Sequence, residues 1–246
     1  MIYASFAQLY DELFDEKLYV EWEEFVTAQI NPNSNTLDLA GGAGRLATLL
    51  AKRNYSVDVA DLSTEMLSLA EQHARENNVD IKLFEANMLD LSELSQYDNI
   101  LCFADSLCYL KDLTQIETTF TQVNGHLTDN GMFLFDVITP YQTDYVYPDY
   151  MYNYEDEQHE RAFLWQSYAD EQQEHGVIHE LTFFNQINKQ NKYERVAETH
   201  FEKTYELDQY LAALKQANFS KVTVSADFGH QKINEQTTRW FFVCQK

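Results

Sequence analysis

Between residues 36 and 137, short apolar runs alternate with stretches whose apolar residues recur every three or four positions. This is the pattern of parallel strands wound with helices. Thr36–Ala40 reads as a first strand, and Arg45–Arg53 follows with Leu46, Leu49 and Leu50 at helical spacing. Ser56–Ala60 is a second strand, closing at Asp61. Ser63 is placed to cap a helix carrying Met66, Leu67, Ala70 and Ala74, with Glu65 favourable in its first turn. Ile81–Glu85 is a third strand, and Asn99–Ala104, nearly all apolar, a central fourth. Leu113, Ile116, Phe120, Val123 and Leu127 mark the next helix, and Gly131 precedes a fifth strand, Met132–Val137. The fold class is α/β.

The texture changes after residue 140. An acidic stretch carries tyrosines at 141, 145, 147, 150, 152 and 154, and these read as packing against the core. Strand-like segments follow at Arg161–Ala169, Val177–Ile187 and Tyr193–Tyr205. Val177, Leu181, Phe183 and Ile187 share one face of the second, and Glu194, Glu198 and Glu202 lie opposite Tyr193, Ala197 and Phe201 on the third. Asn188–Asn191 reads as the hairpin turn between them. Residues 141–205 therefore form an antiparallel β insertion in an α/β unit made of 1–140 and 206–246. Leu207, Tyr210, Leu211 and Leu214 mark a last helix, and Phe219–Ala226 and Thr238–Cys244 two final strands, so the sheet is mostly parallel with an antiparallel end.

Charge narrows the choice of partners. Seventeen basic residues against 40 acidic ones give −23, a surface that repels phosphate backbones and anionic membranes. Nucleic acid is disfavoured, and a small molecule or a protein remains open as partner. No run reaches the roughly 18 apolar residues of a membrane span. Met1–Glu16 lacks the basic and apolar regions of a signal peptide, so a cytoplasmic location is expected. Cys102, Cys108 and Cys244 form no disulfide framework and read as buried thiols. His175 and His179, four apart, would share a strand face, but no ligand set accompanies them and no metal is expected.

The segment Leu37-Asp38-Leu39-Ala40-Gly41-Gly42-Ala43-Gly44-Arg45 carries the chemistry. Its glycines lie between strand and helix, where they permit a tight turn and a close ligand approach. Gly42 to Ala47 also satisfies a dinucleotide-binding pattern, which alone is weak. Asp38 argues against a pyrophosphate, since a buried carboxylate at the strand end repels phosphate and suits an ammonium or an ordered water. Asp61 stands where an acidic residue grips a ribose diol.

Residues 37–49, with Val57-Asp58-Val59-Ala60-Asp61-Leu62-Ser63 and Glu65-Met66-Leu67, resemble the motifs of class I S-adenosylmethionine-dependent methyltransferases. Phe103-Ala104-Asp105-Ser106-Leu107-Cys108-Tyr109-Leu110 and the Tyr10-Asp11 pair add to the likeness. The resemblance implies a Rossmann-like methyltransferase sheet, S-adenosylmethionine as cofactor, in-line methyl transfer to a small-molecule acceptor, and a lid made by the insertion. It implies cofactor contacts from Tyr10, Asp38, Gly41, Gly42, Gly44, Asp61, Leu62, Met66, Asn87, Met88, Phe103, Ala104 and Asp105. Gly42 and Gly44 would pass beneath the methionine and ribose. Asn87 stands where the family has Asp, and its carbonyl can still accept from the adenine amino group. Asp105 is the candidate catalytic residue, a base or an orienting group for the acceptor. On the glycine loop alone, an NAD(P)-dependent oxidoreductase or a non-catalytic nucleotide-binding module remains as an alternative.

Overall fold

A computed structural model describes Asp11, residues 16–187 and residues 192–246. Tyr10 and the Asn188–Asn191 turn lie outside the described residues. The chain order is α1 (Glu16–Thr27), β1 (Asn35–Leu39), α2 (Arg45–Lys52), β2 (Ser56–Asp61), α3 (Thr64–Glu76), β3 (Leu83–Glu85) and β4 (Tyr97–Cys102). Then come α4 (Leu113–His126), β5 (Leu127–Ile138), β6 (Met151–Glu155), β7 (Arg161–Ala169), β8 (Gly176–Gln186) and β9 (Tyr193–Lys203). The chain ends with α5 (Leu207–Gln216), β10 (Lys221–Ser225) and β11 (Arg239–Gln245).

Seven strands form one sheet in the order β10-β11-β5-β4-β1-β2-β3. The neighbours from β3 to β5 pair in parallel, while β11 runs antiparallel to β5 and to β10. The mostly parallel sheet with an antiparallel C-terminal end is as the alternating pattern predicts. Side chains alternate across it: Ile100 and Cys102 join a core with Phe120 and Tyr210 from α4 and α5. Leu101 and Phe103 face the other way, into a core with Trp22, Phe25 and Leu50 from α1 and α2. The spacing of Trp22, Phe25 and Val26, all buried, is the helical signal for α1, which the sequence reading passed over. The fifth strand starts earlier than expected, at Leu127, because Leu127 pairs with Tyr97 ahead of a register shift.

The strand order reverses between β1 and β4, so their carboxyl ends open the crevice in which open α/β sheets bind ligands. The chain leaves this sheet at Ile138 and returns at Thr204, whose hydroxyl donates to the Ile138 carbonyl at 2.6 Å. Between these points β6-β7-β8-β9 form a second, antiparallel sheet. Three of its strands match the sequence pattern; β6 does not, because all five of its residues are exposed and show no alternation. Tyr147 packs on His179 and Tyr150 on Trp165, joining the acidic stretch to the sheet, whereas Tyr145, Tyr152 and Tyr154 are exposed. No helix among the described residues is long and apolar enough to cross a membrane.

Strand β9 turns an unusual face inward. Its residues Val196, Glu198, His200 and Glu202 pair across to Phe183, Leu181, His179 and Val177, the buried side of β8. Glu202 consequently stands 3.8 Å from His179 with its side chain 9% exposed, while Phe201 on the opposite face is 61% exposed. The shared-face expectation for His175 and His179 is corrected. His175 precedes β8 with φ 54° and binds Asp144 at 2.8 Å, whereas His179 points inward to Ser167 Oγ at 2.7 Å. Among the described residues no group of metal-ligating side chains assembles.

Candidate active site

The carboxyl ends of β1, β2 and β4 open into a cavity of about 920 Å3. Asp38 leaves β1 within it, followed by a loop in which Ala40, Gly42 and Gly44 all take positive φ. The turn brings the Gly42 N–H to Asp61 Oδ2 at 2.8 Å, and Ser63 N donates to Asp61 Oδ1 at 2.9 Å. Two backbone donors thus fix the Asp61 carboxylate at the end of β2, with acceptor capacity left on both oxygens. Ser63 then caps α3 through Met66 N at 3.2 Å, as its position predicts.

Asp38 is buried, and its Oδ2 has no hydrogen-bond partner among the described residues. Burial first, and then the nearby Asp61 charge, push its carboxyl up to about 7. A carboxylate raised by desolvation and aimed at a ligand crevice favours a cationic partner. Gly41 is required beside it, since a Cβ there would meet Asp38 Cγ at 2.8 Å. A Cβ on Gly42 would meet nothing closer than Met66 Sδ at 4.0 Å, so Gly42 is held by its φ of +54° rather than by crowding.

The expectation for Gly44 is corrected. It does not line the cavity; a Cβ there would lie 2.9 Å from Ala70 Cβ, so this glycine lets α3 approach the loop. Leu62 and Met66 flank the cavity on the β2 side, and Asn87 and Met88 close it beyond β3. Asn87 Oδ1 already accepts from Leu89 N at 3.0 Å, which leaves one lone pair for a ligand amino group. Phe103 and Ala104 form the wall at the end of β4.

Sequence reasoning missed several wall residues. Asp11 takes a two-pronged grip from Arg45, with Nη2 at 2.8 Å, and a contact from His73 at 3.2 Å. Although burial opposes it, hydrogen bonds from His73 and Arg45 hold the Asp11 carboxyl below the usual range. Tyr19 and Trp22 enter from α1, and Ser106 and Tyr109 from the turn after β4. Glu198 and His200 reach in from β9 and make the second sheet part of the cavity wall. The run Glu198, His200 and Glu202 at alternate positions of β9 was the available signal, but sequence alone does not say which face turns inward.

Asp105 stands elsewhere. With φ 60° its carboxylate turns to Arg239, whose two terminal nitrogens each donate at 2.6 Å. Arg239 also lies 3.1 Å from Asp136, which accepts from Trp22 Nε1 at 2.8 Å and from Asp105 N at 3.1 Å. This network floors a second cavity of about 430 Å3, between the end of β4 and the segment from Ala226 to Arg239. The two cavities share Trp22 and Ala104 in their walls.

The residues present fit an adenosyl amino acid. A raised carboxylate with one oxygen unengaged suits an ammonium, a fixed carboxylate a diol, and an amide edge a base. Among the described residues, no lysine or arginine lines the large cavity to receive a pyrophosphate. The comparisons agree in kind. A family described as a methyltransferase domain matches residues 36–131. A Geobacillus sp. (strain WCH70) protein named as a candidate methyltransferase is 37% identical over 100% of each chain. The crystal structure of an S-adenosylmethionine-dependent methyltransferase from Clostridium acetobutylicum aligns with a TM-score of 0.84 at 27% identity, covering 98% of this chain and 97% of its own. A sugar N-methyltransferase from Streptoalloteichus shares the fold, with a TM-score of 0.78 at 18% identity, covering 100% of this chain and 94% of its own.

Proposed function

Because this chain belongs to the class I S-adenosylmethionine-dependent methyltransferases, we propose that its two neighbouring cavities divide donor from acceptor. The donor lies in the larger cavity: Asp38 takes the ammonium, Asp61 the ribose hydroxyls, and Asn87 with Met88 the adenine edge. The acceptor is a small molecule whose reacting atom sits at Ala104 and whose remainder extends over Asp105 and Arg239. The observation that carries this reading is that the two cavities are neighbours, with Trp22 and Ala104 in the walls of both, beside the crevice at the strand-order reversal. The second sheet, within residues 141–205, acts as a lid over the donor cavity, which Glu198 and His200 reach.

The bound cofactor supplies a methyl group already activated on a sulfonium. The protein's task is alignment and exclusion of water, and orientation of that kind is worth about 7–11 kcal/mol. Phe103 and Leu110 offer an apolar wall, while Glu198 and His200 close the cavity from the lid. Asp105 acts here as an orienting group, since its charge is engaged by Arg239. The net charge of −23 and the acidic wall argue for a neutral or cationic acceptor over nucleic acid.

The test is transfer of tritium from methyl-labelled S-adenosylmethionine to a panel of small amines and phenols, with Asp61→Ala alongside. Labelled product with the natural enzyme and none with the variant is expected. Cofactor binding without transfer to any panel member would refute the small-molecule reading.

A further inference from the structure

Tyr109 and His200 come from elements far apart in sequence and meet at the cavity wall. Tyr109 ends the short turn Ser106–Tyr109 after β4 and is 43% exposed, the turn being the one that Asp105 opens. Its hydroxyl lies 3.1 Å from His200 Nδ1, with the rings edge to face at 5.8 Å. His200 Nε2 in turn lies 3.4 Å from Glu198 Oε2. Tyr109, His200 and Glu198 all line the donor cavity, next to Ser106 and Leu110. A phenol in hydrogen-bond contact with an imidazole, and a carboxylate beside that imidazole, thus line the cavity assigned to the donor.

We infer that Tyr109 takes the proton of the methyl acceptor and hands its own to His200. The inference rests on the proposed function above, because it needs an acceptor whose nucleophilic atom carries hydrogen. In the step, the acceptor's N–H or O–H bond breaks and its proton joins the Tyr109 oxygen, as the phenol proton passes to His200 Nδ1. The freed electron pair forms the bond to the methyl carbon, and the carbon–sulfur bond breaks, leaving a neutral thioether. His200 ends as an imidazolium with Nε2–H facing Glu198, and later returns one proton to water. Tyr109 is the catalytic residue, and His200 and Glu198 act through it.

The electrostatics keep His200 in the neutral form that the step begins from. Burial lowers His200 from the usual 6.5, so the imidazole is neutral at pH 7 with its lone pair free to accept, though as a weaker base than a solvated histidine. Among the described residues, the groups that face it include Tyr109 from the turn, Glu198 and Glu202 on its own strand, and His179 on β8. Glu202 pulls its proton affinity up and His179 pushes it down. Glu198 is itself raised, by burial and then by Glu65 of α3.

Tyr109→Phe and His200→Gln test the path, assayed with the labelled donor and the amine and phenol panel. Expected is a ~10²–10⁴-fold fall in kcat for Tyr109→Phe, the usual worth of general base catalysis, with S-adenosylhomocysteine affinity kept. The natural enzyme should lose kcat on the acid side at the pH where the His200 ring titrates by NMR, and both variants should lack that limb. Without any acceptor present, Tyr109→Phe should raise the NMR-measured value of His200, since the phenol's hydrogen bond to Nδ1 holds the neutral form. Unchanged kcat in Tyr109→Phe would overturn the inference, as would loss of turnover and S-adenosylhomocysteine affinity together. If the natural enzyme itself transfers no label to the panel, the small-molecule reading fails first, and this inference falls with it.

Discussion

Asp38 should make cofactor binding depend on pH in a range where an ordinary surface aspartate is already fully ionised and adds no slope. In the unliganded protein its carboxyl is pushed up to about 7, by burial and then by Asp61. An ammonium seated beside Oδ2 favours the ionised form, so the ligand binds the deprotonated protein and expels a proton when pH is below 7. Each pH unit below that value then weakens binding about tenfold, or ~1.4 kcal/mol. At pH 5, roughly two units below, the loss reaches ~2.7 kcal/mol. Titration calorimetry with S-adenosylhomocysteine, in buffers of different ionisation enthalpy, reads both the affinity and the proton released. Asp38→Asn should bind weakly and without this slope. The same residue sets a stability sign. Between 3.8 and about 7 the folded chain holds a proton that the unfolded chain has lost, so unliganded stability falls as pH rises through that window. Asp38→Asn should therefore stabilise the unliganded protein at pH 8, by roughly 2–4 kcal/mol in a denaturant titration. A flat binding profile from pH 5.5 to 8, or equal slopes in the two proteins, would refute the reasoning.

Other perturbations have separate signatures. Asp61→Ala removes the partner of the ribose and also frees Gly42 N and Ser63 N, so cofactor Kd should rise at least ~100-fold by calorimetry. Gly44→Ala forces a side chain into left-handed backbone and against Ala70, and should lower stability by about 1–3 kcal/mol in urea. Arg239→Met strips the charge from between Asp105 and Asp136, and a loss of about 3–5 kcal/mol is expected in the same titration.

The alternating runs of residues 36–137 were legible because parallel strands buried on both faces and amphipathic helices have different periods. The glycine loop, Asp38 and Asp61 were legible for the same local reason: each acts within a few residues of its strand end. What the sequence hid is non-local. Asp105 reads as a free carboxylate until Arg239, 134 positions away, is folded against it. His200 reads as one histidine among several until β9 turns its charged face inward, a choice made by pairing with β8. Gly44 adds a packing role that the motif alone does not announce, since a Cβ there would meet Ala70 of α3.

The central claim is that the cavity at the ends of β1, β2 and β4 holds the methyl donor. Its most direct test is calorimetric titration of the protein with S-adenosylhomocysteine and, separately, with NADH, beside Asp61→Ala. The account expects one S-adenosylhomocysteine per chain, weakened by the substitution, and no uptake of NADH. Binding of NADH alone, or S-adenosylhomocysteine binding that Asp61→Ala leaves untouched, would contradict it.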